Sequence, residues 1–161
     1  MPAQKGFTVV EIVVAAALIA SIVTAIAGAW QLYLKLSNQT AGLTAAALLA
    51  EEGGEALGLM RDQGWTANIV PLSIGTTYYL YWNGSAYAVQ TSPVVVGGNY
   101  VRSFTLSYAL RDGNYNYTGT SSSCGGSCDA DTRDAFITVS FASSTAPLVQ
   151  SEILIHNVFK N

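Results

Sequence analysis

The sequence predicts an α+β protein in which a long N-terminal helix packs on a four- to five-stranded antiparallel sheet. Two observations lead to this prediction. An apolar run at residues 12–34 is followed by a helical pattern that extends to about residue 64. The rest of the chain contains segments rich in tyrosine, threonine and valine that are separated by turn residues, as is typical of strands. Because helix and strands occupy separate parts of the chain, we expect the helix to cover one face of the sheet.

The first element is a helix apolar enough to cross a membrane. Only 11% of the 161 residues are charged, whereas about 25% is typical of soluble domains. No charged residue lies between Glu11 and Lys35, and about 20 apolar residues span a bilayer core about 30 Å thick. A helix in a soluble core would show a polar face. Lys5 precedes the run, which predicts that the N-terminus stays in the cytoplasm and that the head lies outside.

The N-terminus is consistent with three kinds of membrane segment. A secretory signal peptide would use the Ala-Gly-Ala sequence at residues 27–29 as its cleavage site, and a plain single-pass anchor would need no cleavage. Neither of these two kinds of segment gives a role to Glu11. Placing its carboxylate in lipid costs several kcal/mol unless the group is paired or protonated. Cleavage between Gly6 and Phe7 would create an amino group within reach of this carboxylate, in the same or a neighbouring subunit.

Residues 5–11, KGFTVVE, and the apolar run after them resemble the prepilin cleavage-and-methylation segment of type IV pilins, pseudopilins and competence pilins. The resemblance covers about the first 35 residues. It implies that a membrane-embedded aspartyl peptidase cuts after Gly6 and N-methylates Phe7, and that Glu11 acts in assembly. Many major pilins have a proline where this chain has Gly28. Proline weakens a helix by about 3 kcal/mol and glycine by about 1 kcal/mol, so local unwinding in a filament is less strongly encoded here.

The resemblance implies a structural subunit of a type IV pilus-like filament. Residues 48–62 also look like the segment that follows the membrane helix in minor pilins, which favours a minor subunit. The alternatives are a pseudopilin of a type II secretion system and a competence pilin in DNA uptake. The implied partners are homologous pilin subunits, a prepilin peptidase, an assembly ATPase, a platform protein and, before assembly, membrane lipid. The implied location is the inner membrane, and later an extracellular or periplasmic filament.

The helical pattern continues beyond the membrane segment and ends near Gln63-Gly64, with glycine as the stop signal. Gly53-Gly54 predicts a bend or close packing on the sheet. We interpret the acidic residues 51, 52 and 55 as a solvated face; an intersubunit salt bridge to Arg61 or Lys35 is the alternative. The apolar stripe that is predicted to pack beneath the head comprises Leu32, Leu36, Leu43, Ala47, Ala50, Leu57 and Met60. The predicted domains are residues 1–6 as the cleaved leader, 7–34 as the membrane and filament-core helix, 35–64 as its continuation and 65–161 as the head.

Five segments of the head are predicted to form strands. Residues 77–82 and 85–90 flank Asn83-Gly84, which predicts a hairpin whose tight turn has two positive-φ positions. Residues 100–110 and 135–141 follow. Residues 148–159 form a near-continuous apolar run, which predicts a largely buried strand.

A loop is predicted between the strands, at residues 112–134, and a loop of this length is usually functional or disordered. It contains Tyr115 and Tyr117. A disulfide between Cys124 and Cys128 is expected in an exported head rather than a redox or metal site. The three acids at 129, 131 and 134 suggest calcium by composition, but their spacing fits no calcium loop and Arg133 lies among them, so solvated loop charge is the preferred interpretation.

The sequence predicts neither an enzyme nor a nucleic-acid binder. It lacks phosphate-loop, nucleophile-elbow and metal signatures, and we interpret the only histidine, His156, as structural. No metal or cofactor is therefore predicted. From Lys35 onward the chain has six basic and nine acidic residues, whereas nucleic-acid binders usually carry a basic stripe. Outside the pilin-like family, the remaining hypothesis is a tethered or secreted binding module that uses the tyrosine-rich loop.

Overall fold

A computed structural model describes residue 6, residues 8–125 and residues 128–159. Most of the predicted leader, and Phe7 with its predicted cleavage and methylation, therefore lie outside the described residues. The chain divides into two compact units, Met1–Gly42 and Leu43–Asn161. The long helix α1, Val9–Gln63, begins in the first unit and ends in the second.

In the first unit, α1 exposes its apolar side chains on every side. Ile12, Leu18, Ile22 and Ile26 are each more than half exposed. The helix is long and apolar enough to cross a membrane, and its most apolar stretch of 18 residues contains no buried residue. It runs through Gly28 without interruption. Among the described residues of this unit, none covers the apolar surface, which requires lipid or other apolar helices around it.

In the second unit, α1 packs on an antiparallel sheet and confirms the predicted α+β fold. The helix ends at Gln63, as predicted, and the φ of +153° at Gly64 is one that favours glycine. A short helix, α2, follows at Trp65–Asn68. The buried residues of α1 are Ala46, Ala50, Gly53, Ala56, Leu57 and Met60. Of the predicted stripe, Ala50, Leu57 and Met60 are buried, whereas Leu32, Leu36 and Leu43 are exposed.

The strands within the described residues form one antiparallel sheet. They are β1 Tyr78–Trp82, β2 Tyr87–Gln90, β3 Val95–Val96, β4 Tyr100–Arg111, β5 Tyr117–Ser121, β6 Cys128–Phe141 and β7 Pro147–His156. The central order is β2-β1-β4-β6-β7, and the short strands β3 and β5 also pair with β4, so the described sheet has seven strands where four to five were predicted. Along one edge of β4 lie β3, β1 and β5 in turn, and β6 occupies the other edge.

Gly53 allows α1 to approach the sheet closely. A Cβ atom at this position would lie 2.9 Å from Cδ of Arg102 and 3.3 Å from Cγ2 of Ile137. By contrast, a Cβ at Gly58 would meet no atom within 4 Å. Close packing on the sheet, one of the two outcomes predicted for Gly53-Gly54, is therefore confirmed at Gly53.

The predicted tight turn with two positive-φ residues is wrong. Trp82 pairs with Tyr87, so the loop between β1 and β2 has four residues, 83–86. Gly84 has a φ of +101°, but Asn83 is not in the positive-φ region. The side-chain oxygen of Asn83 instead accepts hydrogen bonds from the backbone N–H groups of Ser85 and Ala86, both at 3.0 Å. Asparagine therefore shapes this turn through its side chain rather than through its backbone.

Two predictions about the second half of the head are also wrong. The predicted loop 112–134 contains β5 and the first half of β6, because both segments pair with the C-terminal half of the long strand β4 and satisfy its backbone groups. The predicted buried strand 148–159 is β7, which lies at the edge of the sheet. Its burial alternates, with Ile155 buried and Leu154 39% exposed, since only one face of β7 meets the core.

Candidate functional site: the N-terminal segment and polar clusters of the head

The N-terminus of α1 is closed by a capping box formed by Thr8 and Glu11. The backbone N–H of Thr8 donates to Oε2 of Glu11 at 2.9 Å, and the Thr8 hydroxyl donates to the same oxygen at 3.0 Å. In return, the N–H of Glu11 donates to the Thr8 hydroxyl oxygen at 3.4 Å. A threonine followed three residues later by a glutamate is the sequence signature of this motif. Glu11 is thus held in the first turn, where the helix dipole favours a negative charge.

The capping box corrects the interpretation of Glu11. The prediction that neither a signal peptide nor a plain anchor gives this carboxylate a role is wrong. Any helix that starts at Val9 gives it one, because the Thr8–Glu11 pair satisfies backbone groups that the helix leaves open. The T-x-x-E signature at residues 8–11 indicates this pair in the sequence. The carboxylate alone therefore does not separate the pilin-like hypothesis from the two alternatives.

Gly6 lies two residues before this capping box and is exposed. A Cβ atom built at Gly6 would meet no atom within 4 Å. The described residues therefore place no packing constraint on a side chain at this position.

In the second unit, Glu52 is an ion-pair partner rather than part of a wholly solvated face. Its Oε1 lies 3.2 Å from Nη1 of Arg102, and the Tyr87 hydroxyl donates to it at 2.9 Å. Arg102 is only 2% exposed, and its Nη1 also donates to the carbonyl of Leu49 at 3.1 Å. Burial, followed by the hydrogen bond to Glu52, raises the pKa of Tyr87. This cluster joins α1 to β2 and β4, and sequence reasoning missed Arg102.

A second polar cluster lies where β4 and β6 meet the loop at 112–116. Nε of Arg111 donates to Oδ2 of Asp129 at 2.6 Å, and the Thr132 hydroxyl donates to the same oxygen at 2.7 Å. Thr132 and Nδ1 of His156 are 2.8 Å apart. Burial tends to raise the pKa of Asp129, but the bonds from Thr132 and Arg111 outweigh it and lower this pKa to about 2. Asp129 is therefore not the solvated loop charge that was predicted.

Asp134, on β6, is a buried carboxyl group. It is 4% exposed, and its Oδ2 accepts a hydrogen bond from the Tyr117 hydroxyl at 3.3 Å. Its Oδ1 has no hydrogen-bond partner within the described part of the chain. Burial, and then the hydrogen bond and charge of Glu152 on β7, raise the pKa of Asp134 to about 6. The predicted solvation of this residue is wrong.

Cys124 and Cys128 are joined as a disulfide, with their Cα atoms 5.5 Å apart. Cys128 is the first residue of β6, so the bond closes the connection between β5 and β6. Among the described residues, no group of three or more histidine, cysteine or acidic side chains is arranged to hold a metal ion.

Comparison with known proteins gives one match. Residues 1–27 match the family model of the prokaryotic N-terminal methylation motif. No curated protein and no solved structure gave a significant match to the chain. The matched segment contains Gly6, Phe7 and Glu11 and extends into the exposed apolar part of α1. Proteins with this motif are structural rather than enzymatic. The chain therefore carries a type IV pilin-like prepilin N-terminus, followed by an apolar helix that fits a single-pass membrane anchor.

Proposed function

We propose that the protein is a structural subunit, specifically a minor pilin, of a type IV pilus-like filament that assembles after cleavage between Gly6 and Phe7. The observation that carries this proposal is the match of residues 1–27 to the N-terminal methylation motif. The apolar surface of α1 in the first unit supports it, because that surface needs lipid before assembly and neighbouring helices afterwards.

The geometry of the capping box suggests how cleavage prepares Glu11 for assembly. The Thr8 N–H lies 2.9 Å from the Glu11 carboxylate. Because consecutive Cα atoms are about 3.8 Å apart, an amino group created at residue 7 would lie one residue from this contact. Cleavage removes neither Thr8 nor Glu11, so the capping box holds the carboxylate in place before and after processing. After cleavage, the Phe7 amine of a neighbouring subunit can neutralise it in an environment that screens charge weakly.

The proposal implies a sequence of partners outside the chain. A prepilin peptidase removes residues 1–6 and methylates Phe7, and an assembly ATPase with a platform protein moves the subunit from the inner membrane into a filament of homologous subunits. The filament then lies outside the inner membrane, with the heads on its surface. These partners rest on the resemblance of the N-terminal segment alone.

The intact mass and N-terminal sequence of the protein from its native membrane test this proposal. We expect a chain that starts at Phe7 and is one methyl group heavier than its sequence. A chain that starts at Met1 or Trp30 would contradict it. Replacing Gly6 with valine should block cleavage without loss of folding, because the side chain at this position has open space around it.

The pseudopilin alternative shares the same N-terminal segment. It predicts that deletion of the gene abolishes the export of secreted proteins, whereas the pilin proposal predicts the loss or shortening of surface filaments with export unchanged. A competence pilin would bind DNA, and the full chain in nanodiscs should then retard DNA at low salt. The excess of acidic over basic residues after Lys35 argues against this outcome.

A further inference from the structure

A polar groove in the second unit is left without a role by the assembly function. It has a volume of about 650 Å³ and lies between the loop at 112–116 and the junction of β6 and β7. This size falls in the range of small-ligand sites, about 300–1,000 Å³. Its lining includes Arg111, Asp129, Thr132, His156 and Asn157.

Internal hydrogen bonds fix the side chains of the groove in place. Arg111 is held by Asp129 and by the carbonyl of Tyr115, the latter at 3.0 Å. Nδ1 of His156 is held by Thr132, and the side-chain nitrogen of Asn157 donates to Asp131 at 3.1 Å. Within the described part of the chain, these bonds use neither Nε2 of His156 nor the amide oxygen of Asn157. Groups that are already immobilised lose little entropy when a ligand binds.

Tyr115 is presented at the rim of this groove in an unusual conformation. It is 82% exposed, and its φ of +64° makes it the non-glycine residue with positive φ in the described part of the chain. This conformation costs a non-glycine residue on the order of 1 kcal/mol or more. Asp112 maintains the turn by accepting hydrogen bonds from the N–H groups of Asn114 and Asn116, both at 2.8 Å. Packing does not explain a strained aromatic residue that is almost fully exposed.

We propose that this groove binds a neutral carbohydrate, with the ring of Tyr115 stacked on the apolar face of a pyranose. The fixed polar groups of His156 and Asn157 would hydrogen-bond the sugar hydroxyls. The charged residues of the lining are one arginine and three aspartates, and the arginine is engaged by Asp129. An anionic ligand such as a nucleic acid or a sialylated glycan would therefore be repelled. The loop that sequence analysis singled out for its tyrosines thus acquires a binding role.

The test uses the full chain in phospholipid nanodiscs, because alkyl glycoside detergents would compete for the groove. The fluorescently labelled protein is applied to an array of neutral, sialylated and sulfated oligosaccharides. We expect retention on one or more neutral glycans, competition by the matching free sugar, and no retention on the anionic ones. The Tyr115→Ala variant should lower the affinity about tenfold, near the upper end of the value of one aromatic contact. Tyr115→Phe should bind within about threefold of the wild type, since it keeps the ring.

Two further variants make the result interpretable. Trp82→Ala removes another exposed aromatic residue of the second unit, one that does not line the groove, and should leave binding unchanged. Tyr115→Gly removes the ring while relieving the backbone, so it serves if the alanine variant does not fold. The proposal is overturned if no neutral glycan is retained, if only anionic glycans are retained, or if both ring-deleting variants bind like the wild type. Filament assembly is measured separately, so either proposal can fail alone.

Discussion

The two units of this protein satisfy their charges in opposite ways. In the first unit, the carboxylate of Glu11 is bonded to a residue three positions away, and the apolar side chains around it are exposed. In the second unit, Arg102 and Asp134 are buried, and their partners come from other elements far along the chain. The first unit therefore depends on local sequence and on its surroundings, whereas the second depends on its own tertiary structure.

This contrast predicts where substitutions act. A change in the first unit should alter assembly and leave the head folded, because little within that unit is buried. A change at a buried position of the second unit should alter the free energy of unfolding. Substitutions in each unit test this difference.

The largest effect is expected for Glu11→Gln. The amide oxygen of glutamine still accepts the Thr8 hydrogen bonds, so the helix start and leader cleavage should persist. The charge partner of the Phe7 amine is lost, however, and an unpaired buried charge costs about 3–5 kcal/mol. We expect the yield of sheared filaments to fall by more than about a hundredfold, as measured by immunoblot, while mass spectrometry shows a processed chain.

Glu55→Gln is the matched control, since Glu55 is an exposed residue of α1 in the second unit. Its filament yield should equal that of the wild type. Normal filaments from the Glu11→Gln variant would show that the capping box, rather than an intersubunit pair, explains this carboxylate.

The next effect concerns two glycines of α1 that lie five residues apart. Gly53→Ala should destabilise the second unit by about 1–3 kcal/mol, because the new methyl group would meet Cδ of the buried Arg102 at 2.9 Å. Gly58→Ala should instead stabilise it by up to about 1 kcal/mol, since alanine favours a helix and no atom lies within 4 Å. Denaturation of both variants in the same detergent, followed by near-ultraviolet circular dichroism, measures these values. Equal effects would contradict the close approach of α1 to the sheet.

The same contrast explains what the sequence could reveal. The bounds of α1, the hairpin positions and the strand at residues 100–110 follow from periodicity and glycine signals, which are local. The T-x-x-E capping box is equally local and could have been recognised. The pairing of Arg102 with Glu52 could not, because fifty residues separate them and only the packed sheet brings them together. Likewise β5 is polar, and it forms a strand because β4 offers it a free edge.

The pH dependence of the free energy of unfolding reports on a buried carboxyl group of the second unit. The pKa of Asp134 is raised to about 6 in the folded protein, above its ordinary value of 3.8, by burial and by Glu152. The folded state therefore binds the proton more tightly than the unfolded state, and the contribution to stability is complete below about pH 4. It is lost as the pH rises from about 4 to 6, by on the order of 2 kcal/mol. Asp134→Asn should flatten this part of the stability profile.

Asp129 provides the contrast in this experiment, because its pKa is lowered to about 2. The stabilisation that Asp129 gives the folded state is present above about pH 4 and is lost as the pH falls towards 2. The two carboxyl groups therefore act in separate pH windows. A wild-type profile that rises between pH 4 and 6, or an Asp134→Asn profile that keeps the decline, would show that Asp134 is solvated after all.

The smallest effect is expected at Tyr115, an exposed residue of the head whose backbone has a strained, positive φ. Tyr115→Gly relieves a positive φ, which favours the folded state by about 1 kcal/mol, but glycine also adds freedom to the unfolded chain, at a cost of about 0.5 kcal/mol. The net gain of about 0.5 kcal/mol should raise the Tm of the head by about 2 °C. Tyr115→Ala keeps the strained backbone and should show no such gain. If the glycine variant is more stable and has lost carbohydrate binding, the tyrosine at φ +64° is retained for its exposed ring and at the expense of stability.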